Sequence, residues 1–317
     1  VSQSSTMTRT QVPGTTPAPA VRRRKPLRDS AWWALLFVGP TALGLAAFYF
    51  WPLLRTGYMS LTTTGAFGGE TWVGLANFAQ LFNSPDLLRA AGNSALYTAV
   101  ALLGIPLAIV LASLLNTPGL KGRSFYRVLY FIPVVTMPAA IALVWTFIYN
   151  GDYGVLNQAL HLVGIQGTSW LANPSTALMA VAVVGIWATL GTNIVIFVAG
   201  LQGIPASLYE AASLDGAGPI RRFFSVTLPL LSPSVFFVSV ITVIGALQVF
   251  DLLYVMIPTG SPAREATMTI VSLFYQVGFI RNQRGLAAAI ALVLMVIILI
   301  LTAVQFRLQR KWVHYEY

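Results

Sequence analysis

Cysteine is absent from this sequence. Disulfides and thiolate-bound metals are excluded with it. Histidine is nearly absent too: His161 and His314 are the only two, and they lie far apart. A lone His in a loop or tail is ordinarily a solvated side chain, so neither is assigned a catalytic or metal role. Charge is equally scarce. Asp, Glu, Lys and Arg make up 9% of the residues, where a soluble domain would carry about 25%. The three lysines are Lys25, Lys121 and Lys311, and none lies in a G-x-x-x-x-G-K-[ST] loop. The chain therefore cannot supply a P-loop of its own. Of nine acidic residues, eight fall in loops or tails. No pair of carboxylates sits in an apolar run, as a proton relay would require. No internal repeat is visible, and nothing in the second half mirrors Pro106, Pro133 and Pro138. That argues against a secondary transporter built from inverted repeats. These absences together speak against catalysis by this chain alone.

What is abundant is apolar. The chain is 56% hydrophobic, with a mean hydropathy of +0.74. Most of its surface must face something other than water, so it reads as an all-α polytopic membrane protein. Helices are required because an unpaired backbone amide is too costly in lipid. A hydrocarbon core of about 30 Å needs roughly 20 residues of helix. Six runs qualify: about 32–54, 94–115, 126–149, 177–201, 233–257 and 286–306. Trp32, Trp33, Tyr49 and Trp51 flank the first run as interfacial anchors. Residues 266–280 are apolar but only 15 long, a length suited to an outer interfacial or re-entrant helix.

Residues 1–30 are rich in Ser, Thr and Pro and end in Arg22, Arg23, Arg24, Lys25 and Arg28. Such a composition cannot bury a core, and a disordered basic tail is expected. A basic cluster before an apolar run also opens a signal peptide, but no small-residue cleavage site follows, so the first run reads as an uncleaved span.

The net charge of +10 would suit either nucleic acid or the cytoplasmic loops of a membrane protein. Position decides between them. With the N-terminus inside, fourteen of the nineteen Lys and Arg residues fall on inner segments, and five (Arg55, Arg89, Arg264, Arg281 and Arg284) fall outside. The bias expects both termini in the cytoplasm, including the tail 307–317, and needs no nucleic acid. It also makes the segment 202–232 cytoplasmic.

That segment reads QGIPASLYEAASLDGAGPIRRFFSVTLPLLS. Ser207 with Glu210 three residues on has the spacing of a capping box, and local capping alone would account for Glu210. Ala211 and Ala212 give a smooth side that another protein can approach closely. Asp215-Gly216 and Gly218-Pro219 break the helix, Gly216 by allowing positive φ. Pro219 suits the first position of a second helix, which Leu228-Pro229 ends before the fifth span. An amphipathic connector would meet this description as well.

The spacing Glu210-Ala211-Ala212, three residues, Gly216, nine residues, Val226, one residue, Leu228-Pro229 resembles the EAA motif of ABC importer permeases, EAA-x3-G-x9-I-x-LP, with Val226 for the usual Ile. Further segments are similar to the class of the larger permease subunit of maltose and glycerol-3-phosphate importers. They are Pro52 with Tyr58-Met59-Ser60; Trp72 to Phe78; Arg127, Tyr130 and Pro133; Gly154 and Asn157; Phe250-Asp251 with Tyr254-Val255-Met256; and Trp312-Val313 with Tyr315. The Gly-Gly-Pro turn after the fifth span departs from the pattern and reads Pro258-Thr259-Gly260-Ser261-Pro262. The resemblance covers nearly everything after residue 30. It implies a type I ABC importer permease fold in a bacterial or archaeal cytoplasmic membrane. It implies three kinds of partner besides the lipid bilayer itself: a second permease subunit as a heterodimer, two copies of an ATPase subunit that hold ATP and magnesium, and an extracytoplasmic binding protein. It implies no cofactor in this chain. It assigns the ATPase contact to a coupling segment carrying Glu210, Ala211, Ala212, Asp215, Gly216, Leu228 and Pro229.

Polar groups within spans are candidates for the pathway. Thr189, Thr192 and Asn193 form a patch on the fourth run, and Gln248, Asp251 and Tyr254 recur at a spacing of three on the fifth, which on a continuous helix puts them on one face. Helix–helix hydrogen bonding would use the same residue types. No basic residue sits in the middle of any run, so a neutral sugar or oligosaccharide is the favoured cargo. Asp215 to Phe224 looks like the glycerol-3-phosphate permease subunit, so a glycerol-3-phosphate or glycerophosphodiester cargo is the alternative. An ion-coupled secondary transporter is the alternative from another class.

Overall fold

A computed structural model describes residues 30–65, 68–117 and 119–313. Residues 1–29, with the arginine cluster, and the last four, with His314 and Tyr315, lie outside the described residues. The chain divides between Leu53 and Leu54 into two units.

Among the described residues, four helices are long and apolar enough to cross a membrane: Leu35–Ser60, Pro85–Leu115, Ala177–Gln202 and Arg284–Gln309. Two bent pairs, Arg123–Val135 with Pro138–Ile148 and Pro219–Leu230 with Ser232–Leu247, raise the number to six if each pair is one span.

Proline explains the irregularities. The first helix widens into a π turn at Ala46–Phe50, where Trp51 N–H reaches the carbonyl of Ala46. Pro52 follows at once. Its ring excludes the carbonyl four residues back, and the widened turn takes up the misfit. The run at 126–149 is not one rod. Its two halves meet at 106°, because Thr136 and Met137 adopt extended ψ values of 138° and 135°, the conformation that Pro138 favours at Met137. The fifth run also departs from expectation. Its helix ends at Leu247, residues 248–250 are not helical, and a short helix Asp251–Met256 follows.

The second unit packs around the Ala177–Gln202 helix, whose Val181, Val184, Ile194 and Phe197 are buried. Gly191 permits a close approach: a Cβ there would lie 2.0 Å from the carbonyl oxygen of Tyr130. Small residues at helix crossings serve this purpose where no hydrophobic force separates protein from lipid.

Among the described residues, two short strands break the helical pattern. Thr62–Thr64 and Glu70–Trp72 pair as an antiparallel hairpin, Thr62 opposite Trp72. Asn77 pins it by donating from Nδ2 to the carbonyls of Ser60 (2.8 Å) and Thr62 (2.9 Å), and Arg55 pairs with Glu70, the strand residue next to the turn. The Trp72 to Phe78 segment therefore has a structural task. Asn157 has another: it donates to the carbonyls of Gly151 (2.9 Å) and Thr168 (3.1 Å) and accepts from Trp170 Nε1 (2.7 Å).

The apolar segment expected over 266–280 begins its helix at Ile270, with Thr269 as N-cap. Ile270, Leu273 and Val277 are buried in one cluster with Leu81 and Ile290. Asn93 fastens its approach, donating to the carbonyls of Ala266 (2.7 Å) and Met268 (2.9 Å).

Candidate coupling surface and translocation cavity

The polar segment folds as two helices joined by a tight turn. The first, Ala206–Leu214, has Pro205 at its N-cap and no side-chain cap bond. The expected capping box at Ser207 is therefore not formed; proline supplies the extended entry instead, and Glu210 is left exposed on the surface. Gly216 has φ +72°. Its N–H reaches the carbonyl of Ser213 (3.1 Å), and Ala217 N–H reaches that of Ala212 (2.9 Å). This pair of bonds is a Schellman turn, which satisfies two of the carbonyls that a helix end leaves open. Gly218 and Pro219 then start the second helix, with Pro219 in its first turn.

Leu228-Pro229 does not stop that helix. A π turn at Phe223–Thr227 precedes it, Leu228 N–H reaching the carbonyl of Phe223, and the helix continues through Leu230. The bend of 66° comes after Leu230, before Ser232. Two contacts tie the helices together. Tyr209 OH lies 3.1 Å from Thr227 Oγ1, and Arg222 Nη1 donates to Ser213 Oγ at 2.9 Å. The two helices of the segment are thus fastened to each other.

No residue of Ala206–Leu214 is buried. Leu214 is 90% exposed, Ile220 76% and Phe224 61%. Of these three large apolar side chains, the sequence points to Phe224 on the second helix but not to Leu214 or Ile220. The signal was there, since they are apolar residues in an otherwise polar connector. All three leave apolar surface uncovered on the same segment as Ala211.

A cavity of about 460 Å³ gathers Thr189, Thr192 and Asn193 of the fourth run with Tyr97, Thr136 and Thr242. That volume suits a small ligand. Thr189 Oγ1 donates to the carbonyl of Gly185 (3.0 Å). Tyr97, Thr136 and Thr242 each come from a different helix, so only the fold assembles them.

Gln248 and Asp251 are exposed and line neither this cavity nor the one beside it. The break at residues 248–250 cuts Gln248 off from the shared face, whereas Asp251 and Tyr254 keep it on the Asp251–Met256 helix. Tyr254 lines a second cavity of about 310 Å³ with Phe250, Arg264 and Tyr275. Arg264 sits 4.7 Å over the Tyr254 ring, and its Nη1 donates to the carbonyls of Tyr254 (3.2 Å) and Ile257 (3.0 Å). The Tyr254 and Tyr275 hydroxyls lie 3.4 Å apart, and that hydrogen bond raises the Tyr275 pKa above its ordinary value. Gly260 holds φ +79°, so the departing Pro258 to Pro262 stretch still turns on a left-handed glycine.

The family described as "Binding-protein-dependent transport system inner membrane component" matches residues 104–314. The chain belongs to that family. It is therefore a multi-pass permease subunit of an inner-membrane ABC importer, fed by an extracytoplasmic binding protein. It is not itself catalytic; ATP hydrolysis belongs to a separate subunit. The sn-glycerol-3-phosphate transport system permease protein UgpA of Agrobacterium fabrum is 36% identical over 283 residues, covering 88% of this chain and 95% of the relative. The probable ABC transporter permease protein YesP of Bacillus subtilis is 33% identical over 305 residues, covering 94% and 97%. A permease chain in the crystal structure of a bacterial alginate ABC transporter, bound to its periplasmic protein, has the same fold, with TM-score 0.79, 22% identity, and coverage of 89% of this chain and 96% of that one.

Proposed function

We propose that this subunit forms half of the translocation pathway for glycerol-3-phosphate or a closely related glycerophosphodiester. The observation that carries the reading is the likeness to the UgpA permeases, at 36% identity over 88% of this chain for the Agrobacterium protein and 34% over 92% for a Yersinia pestis one. Arg264, set in an aromatic cavity, supports it by offering a cation to a phosphate. The neutral sugar favoured from sequence becomes the second reading. It keeps one point in its favour, the uncharged Thr, Asn and Tyr lining of the larger cavity.

The mechanical reading follows from the coupling geometry. The pair Arg123–Val135 with Pro138–Ile148 counts as one span and the Ser232–Leu247 helix as another, which makes six, and the Lys and Arg bias argues for both termini and residues 202–232, Pro219–Leu230 among them, on the cytoplasmic side. The exposed face around Glu210, Ala211, Ala212 and Gly216 docks on one of two ATPase subunits. Asp215 and Gly216 form the turn at its end, while Leu228 and Pro229 carry its motion onward. ATP-driven closure of the ATPase pair draws this subunit and a second permease together. The ties from Tyr209 to Thr227 and from Arg222 to Ser213 pass the movement to the fifth span. The cavity of Thr189, Thr192 and Asn193 then opens to the other side.

Reconstituting the complete transporter with its binding protein tests the cargo. ATP-dependent uptake of glycerol-3-phosphate in preference to neutral disaccharides supports the proposal. Uptake of a neutral oligosaccharide with none of glycerol-3-phosphate overturns it.

A further inference from the structure

The first bent pair of helices starts with an arrangement that the transport cycle leaves unused. Arg123 opens the Arg123–Val135 helix, and its Nε and Nη2 are shut off from solvent with no hydrogen-bond acceptor. Arg127 follows one turn later, on the same face. Both line a groove of about 430 Å³ between this helix and Ala177–Gln202. No carboxylate lines it, and among the described residues the one ion pair is Arg55 with Glu70, elsewhere in the fold. Away from the two arginines the walls are apolar, with Leu115, Val128, Phe131, Ile194 and Val198. Phe125 and Tyr126, beside the arginines, are exposed, as aromatic residues at a membrane interface are.

A guanidinium withdrawn from water without an acceptor is costly, so this one calls for an anion. A phosphate diester matches the planar fork of Arg better than a spherical ion does. The apolar walls then decide the source. A free phosphate would leave them wet, whereas an acyl chain would cover them. Basic clefts between membrane helices are suited to anionic headgroups on these grounds.

We propose that this groove is a site for an anionic phospholipid, the phosphodiester on Arg123 and Arg127 and an acyl chain along Phe131, Ile194 and Val198. The proposal rests on membrane insertion of the family fold and is independent of the cargo.

The test uses the purified complete transporter, with native mass spectrometry of lipid adducts. The probes are dioleoylphosphatidylglycerol, dioleoylphosphatidylcholine and inorganic phosphate. Phosphatidylglycerol should bind in preference to phosphatidylcholine, and phosphate alone should leave no adduct. Arg123→Gln with Arg127→Gln should weaken phosphatidylglycerol about thirty-fold, at about a factor of five per arginine. Val195→Trp, which fills the groove and keeps both charges, should weaken both lipids, while Arg281→Gln should change nothing. A photo-crosslinking residue at Val128, in an otherwise unaltered chain, should capture lipid. Equal binding of the two lipids overturns the proposal, as does unchanged binding in the double variant. Retention of phosphate alone, or capture of the second permease or the ATPase at Val128, overturns it as well.

Discussion

Replacing Gly216 by Ala isolates the geometry of the coupling turn. The φ of +72° lies where an L residue is strained, and nothing stands within 4 Å of the added Cβ. The cost is therefore backbone strain alone, about 1–2 kcal/mol. Two bonds depend on that conformation, Gly216 N–H to Ser213 and Ala217 N–H to Ala212. If the turn relaxes instead, both open. A penalty of that size lowers the population of the native turn by a factor of about 5–30. Gly218→Ala is the matched control. It sits two residues away, also with open space around a Cβ, but at φ −66°, where Ala is at ease and chain entropy even favours it by about 0.4–1 kcal/mol. In proteoliposomes holding the complete transporter and its binding protein, the readout is cargo taken up per ATP hydrolysed. Gly216→Ala should lower that ratio several-fold with normal assembly, and Gly218→Ala should leave it unchanged. Equal effects of the two substitutions, or a normal ratio for Gly216→Ala, would refute the reasoning.

Three further outcomes are expected. Asn157→Ala strips Trp170, Gly151 and Thr168 of their shared partner, so the complex should lose about 1–3 kcal/mol of stability, read as a lower melting temperature with unchanged apparent cargo affinity. Thr192→Val with Asn193→Leu removes polar groups from the cavity and should reduce the maximal uptake rate while basal ATPase activity persists, since neither residue lies near the coupling turn. Arg264→Gln should raise the half-saturating concentration for an anionic cargo about five-fold or more, at about 1 kcal/mol for a lost charge contact, and should leave a neutral cargo unaffected in a side-by-side uptake assay.

Legibility in sequence followed the range of the interactions. Gly216 and Pro219 were readable because their effects are local: positive φ at one, a helix start at the other. The Ser207 cap was misread because Pro205, two residues earlier, takes the N-cap. Leu228-Pro229 looked like a stop, yet the π turn before it lets the chain stay helical through Leu230. Hydropathy found the apolar runs but not their bends, because Pro138 and the residues at 248–250 alter direction without altering composition. The hairpin at Thr62–Trp72 escaped notice, being short and held by Asn77 from outside it. The polar cavity was half readable. Thr189, Thr192 and Asn193 share one helix, whereas Tyr97, Thr136 and Thr242 reach it only through packing. Gln248 was placed by a helical periodicity that the break interrupts, whereas Asp251 keeps its spacing to Tyr254 on one short helix yet lines neither cavity.

The absence of native cysteine makes the central claim directly measurable. Ala211→Cys puts a single thiol on the exposed face of the coupling helix. A membrane-impermeant maleimide should leave it unmodified in intact cells and modify it in inside-out vesicles stripped of the ATPase subunit. Restoring that subunit should protect it. Modification in intact cells, or modification in stripped vesicles that the ATPase does not diminish, would contradict the account.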